Sequence, residues 1–366
     1  MKWSLKIGRY AGIDVYLHVT FWILVAIVGY EHWHRFGTLT ATLQGIALLI
    51  ALFFCVLLHE FGHALMARRF GIKTQDITLL PIGGLARLER IPERPGQEIA
   101  VALAGPAVNV VIAGMLFAFL WLASALHPLE TLGIAHGPFL VRLMAFNLFM
   151  VAFNMIPAFP MDGGRVLRAL LALKMPHARA TRIAATVGQG LAIVFVIVGF
   201  IGPKMLIIIA IFVWIGAAQE ASFSELKSIM EGVRVRQAML TDFHCVKPED
   251  TLQHVAQLVM AGSQHDFPVI ENGSFVGVLS RSALLQGLAQ QGLEGQVANV
   301  MARDCERFDA DDMLDTVLPR VRESKCAVVP VFSANRLVGL VNMENIAELL
   351  MIRSALATGR EQAAPA

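Results

Sequence analysis

The segment His59-Glu60-Phe61-Gly62-His63 combines residue types that could bind a metal ion and activate water. On a helix, residues four apart project from one face, so both imidazoles could bind one ion with Glu60 beside them as a base. The segment lies toward the end of a long apolar stretch. A charged residue at the centre of a membrane span costs about 2.5–3.5 kcal/mol, so ionisable residues in such a span favour a functional role. The alternative is a polar cluster that is satisfied between packed helices.

A catalytic zinc ion needs a third protein ligand and leaves its fourth position to water. Asp162 is the candidate, because it lies in a polar segment that closes another apolar stretch. The distribution of Lys and Arg places the ends of both stretches on the same side of a membrane, so Asp162 and the histidines are expected at similar depth. The alternative is an Asp-Gly turn that ends a helix at the membrane surface.

Composition predicts a membrane domain followed by a soluble one. Of the 366 residues, 56% are hydrophobic and 16% are charged, and mean hydropathy is +0.62. Soluble domains have about 45–50% hydrophobic residues and about 25% charged residues. The apolar excess lies almost wholly before Ala221, which predicts a transmembrane domain at 1–221. A net charge of +2 gives no indication of a nucleic-acid partner.

Six apolar segments approach the length of about 20 residues that spans a bilayer. They are Val15–Tyr30, Leu39–Met66, Ile99–Leu126, Phe139–Pro157, Ile183–Ile201 and Met205–Ala218. Lys and Arg cluster at 2–9, 68–94 and 165–182, whereas the intervening segments carry few, so both termini are predicted to be cytoplasmic in the cell (inner) membrane. We therefore expect a polytopic α-helical membrane protein with about six transmembrane helices.

The stretch Asp76–Leu88 is too short to span and contains Pro81 and the pair Gly83-Gly84. These residues predict an extended, β-like loop with a central turn. It is either a cytosolic connector or a loop embedded at membrane depth, which is tolerated only where protein covers its backbone.

The soluble part contains a repeat with a spacing of 62 residues, which relates Pro268 to Pro330 and Gly277 to Gly339. Each unit is predicted to be an α/β unit that buries its apolar face against its twin. The predicted boundaries are a linker at 222–234, repeats at 235–292 and 297–352, and a flexible tail at 353–366. The four cysteines form no CxxC pair, which favours neither a disulfide framework nor a cysteine zinc site and fits a reducing cytosol.

Three motifs together resemble the site-2 protease family of intramembrane zinc metalloproteases: HEFGH, AGPAVNVV and FNMIPAFPMDGGR. The repeat is similar to a pair of cystathionine-β-synthase-type (CBS) domains, and the combination is similar to the prokaryotic six-span branch. The resemblance implies zinc ligation by His59, His63 and Asp162 and catalysis by Glu60. It further implies substrate binding by Asn154 and Pro160, and by the extended segment that contains Gly83 and Gly84.

The implied function is hydrolysis of peptide bonds in or near the transmembrane segment of a single-span membrane protein, with the CBS pair regulating activity or docking substrate. A transporter with CBS domains is the main alternative, but the ionisable residues concentrate at one metal-like group. A catalytically inactive scaffold is a second alternative, which the intact HExxH motif and Asp162 disfavour.

Lesser sites leave alternatives open. CBS pairs often bind adenine nucleotides through an aspartate that is here replaced by Ala283 and Asn345, so a module for homodimerisation or docking is an equal alternative. Asn109 is expected to tighten helix packing. His18 matches a position where the family often has histidine, or is simply a hydrogen-bonded helix residue.

Overall fold

The structure is a computed structural model that describes residues 4–81, 83–89, 92, 94–123, 137–262 and 264–363. It divides into two compact units, Met1–Ser224 and Glu225–Ala366. Each unit has its own hydrophobic clusters, and each is described by itself.

A four-stranded sheet forms the first layer of unit one. Its strands are β1 (Ser4–Tyr10), β2 (Ile13–His18), β3 (Thr74–Leu80) and β4 (Gly83–Leu88), in the order β1-β2-β3-β4. The β2–β3 pair is parallel and the other two pairs are antiparallel, so β4 lies at one edge. The predicted extended segment is thus a β-hairpin.

The described residues of this unit contain six α-helices and most of a seventh, which continues beyond Ser224. They are α1 (Thr20–Phe36), α2 (Leu39–Arg69), α3 (Pro95–Leu122), α4 (Phe139–Asn154), α5 (Asp162–Ala172), α6 (His177–Ile201) and α7 (Met205–Met230). Among the described residues, four helices (α2, α3, α6 and α7) are long and apolar enough to cross a membrane, and α4 is a shorter apolar helix. Residues 124–126 of the predicted third span lie outside the described residues.

The secondary structure differs from the expectation at the start of this unit and near its end. The first apolar segment was expected from Val15, but it begins as β2, and its helix begins only at Thr20. Ile13, Val15 and Leu17 are buried and alternate with half-buried residues, which is the period of a strand. The predicted linker at 222–234 begins as helix, because α7 continues to Met230 through residues of good helix propensity.

Unit two repeats its elements at the predicted spacing. The first repeat contains α8 (Leu252–Ala261), β5 (Phe267–Glu271), β6 (Ser274–Leu279) and α9 (Arg281–Gln291), and the second contains β7 (Phe308–Asp309), α10 (Leu314–Glu323), β8 (Val329–Ser333), β9 (Arg336–Val341) and α11 (Met343–Ala363). The contacts between the repeats are reciprocal. A Cβ at Gly277 would lie 3.3 Å from the Met301 sulfur, and one at Gly339 would lie 2.6 Å from the Met239 sulfur. This exchange confirms the internal repeat.

Two further expectations for unit two need correction. Cys305 and Cys326 form a disulfide, with Cα atoms 5.7 Å apart, whereas no disulfide was predicted. The spacing of 21 residues carries no sequence signal, because α10 and the turns around it bring the two thiols together. The predicted tail continues α11 as far as Ala363, since the segment is rich in helix-forming residues.

Candidate metal centre

Three predicted ligands converge in unit one. His59 and His63 lie one turn apart in α2, and Asp162 is the first residue of α5. The two Nε2 atoms are 3.0 Å apart, and Asp162 Oδ2 lies 3.3 Å from that of His59 and 3.2 Å from that of His63. All three side chains are buried. The three side chains therefore form one compact group.

The hydrogen bonds of the imidazoles turn their unprotonated nitrogens toward one another. His63 Nδ1 lies 2.7 Å from the backbone oxygen of Val101, and His59 Nδ1 lies 2.6 Å from Asn109 Oδ1. Both partners are acceptors, so in a neutral imidazole the hydrogen is on Nδ1 and Nε2 presents a lone pair. Asp162 Oδ2 is buried without a hydrogen-bond partner. Three electron-rich atoms thus face one point.

A zinc ion fits this arrangement. Zinc binds imidazole nitrogen at about 2.0–2.1 Å and carboxylate oxygen at about 2.0–2.2 Å, so tetrahedral ligand atoms lie about 3.3–3.5 Å apart. The observed separations of 3.0, 3.3 and 3.2 Å are close to that range. The donor set of two neutral imidazoles and one carboxylate also matches zinc preference.

Gly105 of α3 leaves the space that an ion at this point needs. A Cβ at this position would lie 2.2 Å from His63 Nε2 and 2.7 Å from His59 Nε2. Gly62 of α2 allows the same close approach from the other side, since its Cβ would lie 2.7 Å from the backbone oxygen of Ala104. The glycines of HEFGH and AGPAVNVV therefore bring the α3 backbone against the two histidines.

The glycines after Asp162 fix where the carboxylate lies. A Cβ at Gly163 would be 2.4 Å from the backbone oxygen of Ile156, and one at Gly164 would be 2.6 Å from the carbonyl carbon of Ala158. Only glycine lets α5 begin this close to the preceding loop. Asp162 thereby lies in the first turn of α5, where unpaired N–H groups and the helix dipole stabilise a carboxylate.

Glu60 lies between the histidines in sequence and is half-buried. It adjoins the edge strand β4, because a Cβ at Gly84 would lie 2.4 Å from the Glu60 Cγ. The predicted base and one predicted substrate-binding residue are therefore neighbours. Gly83 begins β4 with a φ of 140° and pairs with Leu80.

The other predicted substrate-binding residues lie outside the group of three ligands. Asn154 ends α4, and its Nδ2 donates to the backbone oxygen of Met150 at 3.0 Å. Pro160 is exposed and lies close to α7, since a Cβ at Gly216 would be 2.7 Å from its Cδ. His18 ends β2, so it is not the helix residue of its alternative, although it does hydrogen-bond to Thr20 Oγ1 at 2.7 Å.

Two groups of polar residues in this unit were missed or undervalued. Asn109 bonds across helices as expected, but its partners are His59 and the unpredicted Asn147. Arg168 donates to Glu98 Oε1 at 2.6 Å and pairs with Glu220, and its side chain is 1% exposed. Their signal in the sequence was only that polar side chains stand among apolar helical residues.

Apolar helices around a buried His-His-Asp group define a membrane protein with a zinc-type metal centre. The family model of peptidase family M50 matches residues 47–136 and 130–196, and the CBS domain model matches 235–290 and 297–352. A zinc metalloprotease of Methanocaldococcus jannaschii is 34% identical over 281 residues, which are 76% of this chain and 78% of the relative. The chain belongs to peptidase family M50 and is a zinc metalloprotease of the site-2 protease type.

Other relatives cover different parts of the chain. Rip3 of Mycobacterium tuberculosis is 26% identical over 96% of this chain and 93% of its own length. The solved structure of a site-2 protease from Methanocaldococcus jannaschii is 36% identical, covers 60% of this chain and 95% of that one, and has a TM-score of 0.44.

Proposed function

We propose that this protein hydrolyses peptide bonds in or near the transmembrane segment of single-span membrane proteins, as in regulated intramembrane proteolysis. His59, His63 and Asp162 hold one zinc ion in this proposal, and Glu60 is the catalytic base. The observation that carries it is the convergence of two Nε2 lone pairs and an unpartnered carboxylate oxygen within 3.3 Å. The family assignment supports the same chemistry.

The residues divide the work of hydrolysis. The chemistry that zinc supplies when bound is Lewis acidity, which lowers the pKa of a water molecule to about 7 and polarises a carbonyl group. Glu60 accepts the proton of the attacking water and passes it to the leaving amide nitrogen. The Nδ1 hydrogen bonds to Asn109 and Val101 hold both imidazoles with Nε2 directed inward throughout.

The free edge of β4 is proposed to hold the substrate. Peptide bonds in a helix are not accessible to a nucleophile, so the scissile segment has to be extended, and an edge strand holds an extended chain by backbone hydrogen bonds. Gly84 brings this edge against Glu60. Gly83 leads the chain into β4, and Asn154 and Pro160 are proposed, on family resemblance, to help hold the substrate near the zinc ion.

We propose that both termini lie in the cytoplasm and that the metal centre is near that face. The Lys and Arg clusters support this orientation, but Arg168 should be removed from the count because it is buried in an ion-pair network. Reporter fusions at the C-terminus test the orientation. Activity of a C-terminal reporter that works only in the periplasm would contradict the proposed cytoplasmic C-terminus.

The decisive experiment measures cleavage of a single-span model substrate by the full chain in detergent. We expect product that disappears with a zinc chelator and returns with added zinc. Glu60→Gln should abolish cleavage while keeping about one zinc per chain, which is the stoichiometry of a catalytic site. Glu31→Gln, on the exposed face of α1, is the matched control and should cleave normally. A wild-type protein that binds no zinc would overturn the proposal.

For the CBS pair we propose a regulatory or docking role, with a homodimer through this pair and adenine nucleotide binding as its two alternatives. Ser280 and Asn342 already cap α9 and α11 through the backbone N–H groups of Ala283 and Asn345, at 3.2 and 2.8 Å. These caps occupy one acceptor site on each side chain, which disfavours nucleotide binding through them and does not bear on dimerisation. Mass in detergent and equilibrium dialysis with AMP distinguish the alternatives.

A further inference from the structure

A chain of buried amides leads away from the metal centre. His59 Nδ1 bonds to Asn109 Oδ1 at 2.6 Å, and Asn109 Nδ2 donates to Asn147 Oδ1 at 2.7 Å. Asn109 and Asn147 are both 0% exposed, so water cannot replace either partner. The chain connects α2, α3 and α4, and the hydrogen bonds that the described residues give Asn147 go to Asn109, Leu143 and Cys55 and not to the three ligands.

The orientation of both amide groups is fixed at Asn147, the end of the hydrogen-bonded chain that is away from the metal centre. Asn147 Nδ2 lies 2.9 Å from the backbone oxygen of Leu143 and 3.4 Å from Cys55 Sγ. A carbonyl oxygen can only accept, so the NH₂ group of Asn147 has to face Leu143 and its oxygen has to face Asn109. Asn109 is then obliged to present its NH₂ to Asn147 and its oxygen to His59.

The orientation of Asn109 determines the tautomer of His59. Because Asn109 presents an oxygen, His59 keeps its hydrogen on Nδ1 and its lone pair on Nε2, the atom that faces His63 and Asp162. A reversed Asn109 would present N–H groups to Nδ1 and favour the opposite tautomer, which cannot bind a metal through Nε2. Both orientations of a free asparagine have the same shape, and among the described residues it is the hydrogen bond to Asn147 that distinguishes them.

We propose that Asn147 is a positioning residue of the metal centre, which sets the orientation of Asn109 and thereby the tautomer of His59. The inference rests on the zinc site proposed above. It differs from a packing role, because packing predicts a loss of stability without a change in metal affinity. Replacing a residue that hydrogen-bonds directly to a ligand typically changes metal affinity or activity by about 10–100-fold, and Asn147 lies one residue behind such a partner, so we expect an effect at the lower end of that range.

The test measures zinc affinity of the full chain by competition with a chromophoric chelator, together with the visible spectrum of the cobalt-substituted protein. Asn147→Leu, similar in size but without hydrogen-bonding groups, should weaken zinc binding by about tenfold and alter the cobalt spectrum. Gln44→Leu removes an exposed amide from the same membrane unit and should change neither. The melting temperature of the zinc-free protein reports any loss of packing separately.

A second substitution distinguishes orientation from packing. Asn109→Asp presents only acceptors, so a carboxylate at this position orients His59 whatever lies behind it. In the Asn109→Asp background, Asn147→Leu should therefore strengthen zinc binding, because it removes the Asn147 oxygen that faces the new carboxylate. The sign of the Asn147→Leu effect reverses between the two backgrounds.

Each outcome decides the proposal. Zinc affinity of Asn147→Leu equal to wild type, with a lower melting temperature, would leave the zinc site in place and overturn the positioning role. Equal losses of zinc affinity from Asn147→Leu in the wild-type and Asn109→Asp backgrounds would also overturn the positioning role. A wild type that binds no zinc would overturn the proposed function, and this inference with it.

Discussion

Gly84 of the edge strand lies so close to Glu60 that a Cβ in its place would be 2.4 Å from the glutamate Cγ. Gly84→Ala is therefore predicted to displace the Glu60 carboxylate without touching the three ligands. Misplacement of a catalytic group by about 1 Å can lower the rate by about 10²-fold. We expect a loss of this order in substrate cleavage with zinc content unchanged.

The matched control for that variant is Gly114→Ala, on α3, where nothing lies within 4 Å of the added methyl group. It should cleave as the wild type does. Normal cleavage by Gly84→Ala would show that Glu60 tolerates the displacement, and would weaken its assignment as the base.

Gly105→Ala is predicted to disable the metal centre instead of the base. Its methyl group would lie 2.2 Å from His63 Nε2, so the imidazole has to move out of its ligating position. We expect zinc affinity to fall by about 10–100-fold, as for changes that disturb the orientation of a ligand. Zinc content by metal analysis after dialysis measures this.

Gly190→Ala of α6 is the control, since nothing lies within 4 Å of its Cβ position. Alanine favours a helix by about 1 kcal/mol over glycine, so the control should be neutral or more stable. If Gly105→Ala retained its zinc, the close approach of α3 to the histidines would not matter for binding.

The sequence predicted that His59, His63 and Asp162 come together, because their arrangement depends on local helix geometry and on the order of the apolar segments. Four-residue spacing on a helix places His59 and His63 together, and the prediction that two segments end on the same side of a membrane led us to expect Asp162 near them. Asn147 could not be predicted in its role, because that role depends on a contact with Asn109 on another helix. The direction of the amide chain appears only when the Leu143 carbonyl is in place.

Errors in the fold have equally local reasons. Apolar content does not separate a buried strand from the start of a helix, so β2 was included in the first span. The end of α7 was missed because a helix does not stop where its apolar residues stop. The repeat was placed well, because identical spacing of Pro268 and Pro330 and of Gly277 and Gly339 is independent of such boundaries.

Arg168 forms a buried ion-pair network that joins α3, α5 and α7. Its Nε donates to Glu98 Oε1 at 2.6 Å, its Nη1 pairs with Glu220, and its guanidinium lies 5.1 Å over the Phe159 ring. Arg168→Met leaves the buried Glu98 without its arginine and with only His177 Nε2 at 3.6 Å among its described ion pairs, and breaking a buried pair destabilises by about 3–5 kcal/mol. We expect a clearly lower melting temperature in detergent.

Two comparisons distinguish disruption of the buried ion pairs from the loss of one positive charge. Arg179→Met, at an exposed position of α6, should leave the melting temperature unchanged. Adding Glu98→Met and Glu220→Met to Arg168→Met should recover stability, because replacing a whole buried network by apolar residues is often neutral. A triple variant as unstable as Arg168→Met would mean that the packing of the arginine matters more than its charge.

The Cys305–Cys326 disulfide opposes the expectation of a reducing cytosol, and thiol counting decides between them. The structure leaves Cys55 and Cys245 as free thiols, so the unfolded, unreduced protein should take up two alkylating groups and the reduced protein four.

Closing a loop between residues 21 apart contributes about 3 kcal/mol by constraining the unfolded chain. Cys305→Ser should therefore lower the melting temperature of the oxidised protein, whereas Cys245→Ser should not. Four alkyl groups without reductant, in protein prepared from cells under acid quench, would instead establish that the pair is reduced in the cell. A cytoplasmic CBS pair would then be the simpler conclusion, because such compartments keep thiols reduced.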